Sequence, residues 1–162
     1  MKSIKILVFS DSHGREHYIE KAIEDHGGKA DALIFLGDGI KGAARVFEKY
    51  PHLPRALVRG NCDYSAEDEA DEAVINLGGV NILCTHGHKY SVKSTLMRAG
   101  LRAREKNCAL LLFGHTHNPT EIRTEELIYF NPGSVGMGYP HRSYGVVNIC
   151  GNNIICSHGK VE

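Results

Sequence analysis

The 162-residue sequence has no surplus charge of either sign, no Cys-x-x-Cys pair, no long apolar run and no low-complexity or linker-like stretch. With 19 basic residues against 19 acidic ones, bulk attraction to nucleic acid or to a membrane surface is not expected, although a nucleotide substrate stays open. Cys62, Cys84, Cys108, Cys150 and Cys156 are odd in number and lack metal-knuckle spacing. They read as free thiols of a reducing compartment. The opening residues hold one short apolar run that flows directly into Asp11, too short for a signal peptide or a bilayer span. The expected location is the cytoplasm, with no membrane partner.

What is present is an ordinary globular composition, 42% apolar and 23% charged, at a length that suits one domain over residues 1–162. Branched apolar runs at Ile4 to Phe9, Ala32 to Leu36, Ala56 to Val58 and Ala109 to Phe113 predict buried strands. Helical spacing marks Glu16 to Asp25, Gly42 to Tyr50 and Ser91 to Lys106. Gly78-Gly79 joins Ala73 to Leu77 with Val80 to Thr85 as a hairpin. Two further hairpins are predicted, Glu121 to Thr124 with Leu127 to Phe130, and Tyr144 to Ile149 with Asn153 to Cys156. Strand-helix alternation followed by hairpins predicts an α/β class, read as a four-layer αββα sandwich of two mixed sheets with helices outside.

Chemistry concentrates in five clusters: Asp11-Ser12-His13, Gly37-Asp38, Gly60-Asn61-Cys62-Asp63, His86-Gly87-His88 and Gly114-His115-Thr116-His117. Each follows a predicted strand. Their leading polar residues, 11, 38, 61, 86 and 115, are 27, 23, 25 and 29 positions apart, close to the length of a strand-crossover-strand unit. Carboxyl ends of parallel strands share an edge where ligands bind, so the five clusters are expected to meet. Asp, Asn and His donors without a thiolate set suit divalent ions such as Mn²⁺, Fe²⁺, Zn²⁺ or Co²⁺. Asp11, His13, Asp38, Asn61, His86, His115 and His117 are too many for one four-coordinate ion and suit two, with Asp38 as the bridge. His115 and His117 are expected to alternate in an extended segment and to point the same way.

This ordered series resembles the calcineurin-like metallophosphoesterase superfamily, and more narrowly its small single-domain phosphodiesterase branch, a motif of which Asn131-Pro132-Gly133-Ser134 also matches. The resemblance implies the αββα sandwich. It assigns Asp11, His13, Asp38 and His117 to one metal, and Asp38, Asn61, His86 and His115 to the other. Two ions about 3.5–4 Å apart can hold both a nucleophile and a phosphoryl oxygen. The implied reaction is in-line attack on a phosphate ester by hydroxide bound at the dinuclear centre, with Mn²⁺ expected and Fe, Zn, Co or Ni admissible.

Asn61, Cys62, His86 and His88 are the candidate catalytic residues. Cys62 stands where many superfamily members carry a histidine that assists the leaving group, so stabilised leaving groups are expected and alkyl monoesters should react weakly. His88 is an alternative proton donor. The partner is a small phosphate ester, and a homodimer is compatible with the sequence. The competing function is a non-catalytic interaction scaffold, as in a retromer subunit of the same fold. A serine/threonine protein phosphatase is disfavoured by Cys62 and by the short length. His17, His26, His52 and His158 read as solvated, Cys84 and Cys108 as core packing, and Arg102, Arg104 and Lys106 as the wet face of a helix. His141-Arg142 reads as a surface pair or a phosphate contact.

Overall fold

The computed structural model describes residues 2–162. In chain order the elements are β1 (Ile4–Phe9), α1 (His17–Asp25), β2 (Ala32–Phe35), α2 (Ile40–Phe47) and β3 (Arg55–Leu57). Next come β4 (Glu72–Leu77), β5 (Val80–Thr85), a 3₁₀ turn at His88–Tyr90, α3 (Met97–Glu105) and β6 (Leu110–Phe113). The chain closes with β7 (Thr120–Arg123), β8 (Ile128–Asn131), β9 (Arg142–Cys150) and β10 (Asn153–Val161). Two mixed five-stranded sheets result, in the orders β10-β9-β1-β2-β3 and β4-β5-β6-β8-β7. β1, β2 and β3 run parallel in the first sheet, and β5, β6 and β8 run parallel in the second.

The period-2 alternation of strand side chains divides the core into three slabs. Leu7, Phe9, Leu33 and Phe35 pack with Ile19 and Ile23 of α1 and with Val46 and Phe47 of α2. Their neighbours Ile6, Val8, Ala32 and Ile34 meet Ile82, Cys84, Leu110, Leu112 and Phe130 between the sheets. Leu83, Leu111, Phe113 and Tyr129 cover Ala99 and Ala103 of α3. The layers are therefore helix, sheet, sheet, helix, as the alternating apolar runs predict.

Several boundaries differ from the sequence expectation. α3 begins at Met97 rather than Ser91, because Ser91 has a left-handed φ of 55° and the turn after it closes on the Ser91 carbonyl. Thr95 Oγ1 accepts the Met97 N–H at 3.2 Å just ahead of the helix. α2 starts earlier than Gly42 because a distant side chain caps it: Asp63 Oδ1 accepts from Gly39 N at 2.8 Å and Ile40 N at 3.1 Å. β9 and β10 run for nine residues each, so His158 lies on a strand.

Three histidines expected to be solvated have partners. His158 Nε2 contacts the Asn131 carbonyl at 2.7 Å and its ring stacks on Phe130. His26 Nε2 meets Tyr144 Oη at 2.8 Å, and His17 stacks on Tyr18. Nor is Arg102 merely wet. It grips Glu72 through Nη2 at 2.6 Å and Nε at 3.0 Å, fastening α3 to β4. Arg104 pairs with Glu126 at 3.3 Å. Arg142 lies over the Tyr18 ring and donates to the Gly136 carbonyl at 3.2 Å, a structural role. Cys84 and Cys108 are core residues as expected.

Candidate metal centre

The loops after β1, β2, β3, β5 and β6 meet at one end of the sandwich and are laced together by backbone hydrogen bonds. Asp11 N donates to Gly37 O at 2.9 Å, His13 N to Asp38 O at 3.0 Å, and Gly114 N to His86 O at 3.1 Å. The sequence expectation had one sheet edge supplying every cluster. Instead Asp11, His13, Asp38 and Asn61 come from the first sheet, and His86, His115 and His117 from the second. Convergence comes from stacking two carboxyl-end edges against each other.

The backbone is strained where the donors sit. Asp11, His13, Asp38, His115 and His117 have φ of 57°, 46°, 63°, 70° and 60°. Among the described residues they are five of the seven non-glycine positions in the left-handed region. Such a conformation costs roughly 1–2 kcal/mol for an ordinary side chain and gathers where surrounding structure forces it. The His115–His117 segment is therefore a left-handed turn and not an extended strand. Its two rings separate: His115 turns to His86, and His117 to Asp11 and His13. Close packing also explains two of the glycines beside donors, Gly60 and Gly114. A Cβ on Gly60 would lie 2.2 Å from Asp38 Oδ1, and one on Gly114 would lie 2.0 Å from Ser10 Oγ.

Six donors form one continuous constellation. Asp11 Oδ1 lies 3.1 Å from His117 Nε2, 3.5 Å from His13 Nε2 and 3.9 Å from His86 Nε2. Asp38 Oδ2 lies 3.3 Å from His86 Nε2 and 3.8 Å from His13 Nε2. His13 and His117 face each other nitrogen to nitrogen at 3.3 Å, and His115 Nδ1 faces His86 Nε2 at 3.2 Å. The second oxygen of each carboxylate is taken by the protein. Asp11 Oδ2 accepts from Ser10 Oγ at 2.5 Å and His115 N at 3.1 Å, while Asp38 Oδ1 accepts from Cys62 N at 2.7 Å.

These contacts pass a chemical test for cation binding. His86 Nδ1 sits 2.7 Å from the Leu36 carbonyl, which can only accept, so Nδ1 carries the proton. Nε2 then faces the Asp38 carboxylate, an arrangement that needs either a proton on that nitrogen or a cation between the two groups. The Asp11, His13 and His117 donor atoms are 3.1–3.5 Å apart. Donors about 2.1 Å from a tetrahedral ion would stand roughly 3.4 Å apart. These three donors form one candidate metal group, and Asp11, Asp38 and His86 form a second.

The field at the site follows from the same contacts. Burial would raise the Asp11 pKa, but hydrogen bonds from His117, His13 and Ser10 outweigh it and hold the carboxyl well below its ordinary range. Asp38 is likewise lowered, burial being overcome by His86 and the Cys62 N–H. His13 is raised, chiefly by its hydrogen bond to Asp11. His86 is raised because Asp38 and Asp11 outweigh burial. Burial and the neighbouring His86 push His115 down to about 4. Two anionic carboxylates thus hold protons on His13 and His86 that a divalent ion would replace.

The candidate catalytic residues Asn61, Cys62 and His88 line the rim. Asn61 donates its amide to Cys62 Sγ at 3.6 Å. The His88 ring centroid is 5.4 Å from that of His86 and 6.2 Å from that of His115. Sequence reasoning missed the supporting residues. Asp63 accepts four backbone N–H groups, from Asp38, Gly39, Ile40 and Gly60, and so fixes two donor loops at once. Ser134 Oγ donates to the Asp11 carbonyl at 2.7 Å. Asn131 Nδ2 donates to Gly114 O and Thr116 Oγ1, both at 3.0 Å, bracing the His115–His117 turn. Asp63 and Asn131 stand inside quoted motifs, but only their long-range partners reveal what they do.

Comparison with known proteins agrees with this geometry. A family model described as the calcineurin-like phosphoesterase superfamily domain matches residues 4–152. Probable metallophosphoesterase YsnB of Bacillus subtilis is 33% identical over 149 residues, covering 90% of this chain and 85% of that protein. Phosphodiesterase YfcE of Escherichia coli is 29% identical over 172 residues, covering 90% and 88%. A predicted phosphoesterase from Streptococcus pneumoniae superposes with a TM-score of 0.85 at 27% identity, covering 99% of this chain and 91% of that one. Vacuolar Protein Sorting 29 from Cryptosporidium parvum shares the fold, with a TM-score of 0.77 at 16% identity, covering 98% of each chain.

Proposed function

The chain belongs to the calcineurin-like phosphoesterase superfamily, and from that premise we propose that it is a metal-dependent phosphodiesterase working with two divalent ions. The observation that carries this reading is His86 Nε2, its ring fixed by the Leu36 carbonyl so that this nitrogen faces Asp38 Oδ2 at 3.3 Å inside a ring of further donors. Asp11, His13, Asp38 and His117 would hold one ion, and Asp38, Asn61, His86 and His115 the other. Asp38 would be the residue common to both sets; its Oδ2 faces His13 and His86 while Oδ1 holds the Cys62 N–H. Imidazole and carboxylate donors suit Mn²⁺, the proposed native ion, and also admit Fe, Zn, Co or Ni. When bound, such ions supply an acidified water and positive charge against phosphoryl oxygens.

The chain's own groups do the rest. Ser10, the Cys62 N–H and the Leu36 carbonyl each fix one donor in a single orientation, the preorganisation that keeps reorganisation cost out of the reaction. Asn61 would offer its amide to a phosphoryl oxygen. Burial and the nearby Asp38 carboxylate raise the Cys62 thiol pKa, so it keeps its proton. Burial lowers His88, which is then neutral near pH 7. Both are weak proton donors to a leaving alcohol. Aryl phosphodiesters should therefore be good small-molecule substrates, and alkyl monoesters poor ones.

Cys62, Cys84, Cys108 and Cys156 are free thiols, which supports the cytoplasm as the proposed location. No helix among the described residues is long and apolar enough to cross a membrane. The competing reading is a protein-interaction scaffold on the same fold, and it predicts no turnover. Hydrolysis of an aryl phosphodiester, measured with and without Mn²⁺ in the wild type, Asp38→Asn and His86→Ala, separates the two. The phosphodiesterase reading expects Mn²⁺-dependent turnover lost in both variants. Equal rates in all three proteins would contradict it.

A further inference from the structure

The centre contains a sulfur to which the phosphodiesterase reading gives no part in metal binding. Cys62 is exposed, and its N–H holds Asp38 Oδ1 at 2.7 Å, so its position is tied to that carboxylate. Its Sγ, a nitrogen of His13 and a carboxylate oxygen of Asp38 all lie within 4.8 Å of one another. The sulfur also receives the Asn61 amide at 3.6 Å. A Zn–S bond is about 2.3 Å and a Zn–N bond about 2.1 Å, so S and N around one ion stand roughly 3.6 Å apart. Cys62 is exposed, so its side chain is free to rotate toward such a spacing.

The His13, Asp38 and Cys62 group differs in kind from the other donor groups. It offers one nitrogen, one oxygen and one soft thiolate, and thiolate is the ligand that separates Zn²⁺, Cd²⁺ and Co²⁺ from oxygen-preferring ions such as Mn²⁺ and Mg²⁺. We propose that Cys62 is a facultative metal ligand that joins His13 and Asp38 around thiophilic divalent ions and stays unligated around oxygen-preferring ones. The exchange balances simply: the S–H bond breaks, its proton passes to solvent, and the thiolate pair binds the ion with no change of oxidation state. The identity of the ion then decides the role of Cys62. Around Mn²⁺ it is a thiol beside the leaving group. Around Zn²⁺ or Cd²⁺ it is a ligand without a proton to give, and the centre is held in a less active form.

This proposal rests on the metal-centre reading only in needing an ion beside His13 and Asp38, and the optical spectrum of Co²⁺ tests the two separately. Any Co²⁺ held by the centre gives visible ligand-field bands, and only a sulfur ligand adds a near-ultraviolet sulfur-to-cobalt charge-transfer band. Titration of the metal-free protein with Co²⁺ should produce both features in the wild type. Cys62→Ser should lose the charge-transfer band and keep the ligand-field bands, which also shows that its centre is intact. Cys150→Ser, altered at the other exposed cysteine, should retain both. Ligand-field bands without charge transfer in the wild type, or a charge-transfer band that survives Cys62→Ser, would overturn the proposal and leave the metal centre standing. Absence of ligand-field bands in the wild type would overturn the metal centre and this proposal together.

Discussion

His86 and His117 sit on opposite sides of the same constellation and are built into it differently. His86 is wholly buried, pinned by the Leu36 carbonyl, and its partner Asp38 stands in a loop held by Asp63. The His13 and His117 side chains are 22% and 35% exposed, and their rings lean on each other and on Asp11. His86 is a buried fixture, and the His13 and His117 rings are partly open above a buried Asp11. A pocket of the first kind should hold its ion through dilution, and one of the second kind should exchange it. Asp38, which faces both halves, is the hinge of the comparison.

The sharpest way to break that comparison is to remove the shared residue. Asp38→Asn should lower kcat/KM by more than about a hundredfold, exceeding the roughly 10–100-fold cost of losing a partner that merely orients a ligand. Steady-state kinetics across Mn²⁺ concentrations would show whether added metal rescues it; rescue is not expected. Next come the two halves alone. His86→Ala and His117→Ala should both fall by about tenfold or more, but saturating Mn²⁺ should restore His117→Ala more fully. Equal rescue would erase the distinction between interior and rim.

Asp63→Ala probes the scaffold of the interior half. It leaves four backbone N–H groups without their acceptor, and should cost about 3 kcal/mol in denaturant unfolding. The pH dependence sharpens the account further. The folded-state pKa values of His13 and His86 are raised. Their contribution to metal-free stability is therefore complete below the unfolded value of about 6.5 and is lost as pH rises through the folded values. Through these two groups metal-free protein should lose stability between pH 6 and pH 8. His115, pushed down to about 4, opposes this effect, and His13→Ala with His86→Ala should abolish it. Mn²⁺-saturated protein should melt higher at pH 8, since fewer protons compete for the ligands. The smallest effect is expected at His158→Ala, which removes one contact to Asn131 O behind the His115–His117 turn, at about 1 kcal/mol.

Much of this was legible in the residues. The apolar runs marked the strands, and polar clusters directly after them marked a shared edge, because a strand that ends in a Gly-acid or Gly-His pair must leave its donors at its mouth. The αββα layering followed from alternation. What local pattern could not show is long-range. The α2 start depends on Asp63, 23 residues beyond Ile40, and the split of the donors between two sheets depends on how those sheets stack. His115 and His117 looked extended, yet the turn forced by Asn131 and by packing at Gly114 holds both in the left-handed region and sends their rings apart. His158 looked like a loop residue because β10 continues five residues past Cys156, through a stretch with little apolar alternation.

Six spatially interlocked donors, with Asn61 beside them, are proposed to hold two ions of unequal accessibility. Isothermal titration of metal-free protein with Mn²⁺, paired with elemental analysis after brief chelation, tests this most directly. The account predicts two ions per chain at saturation, and one remaining after the chelator has removed the rim ion. A saturating stoichiometry of one or none, or the simultaneous loss of both ions, would contradict it.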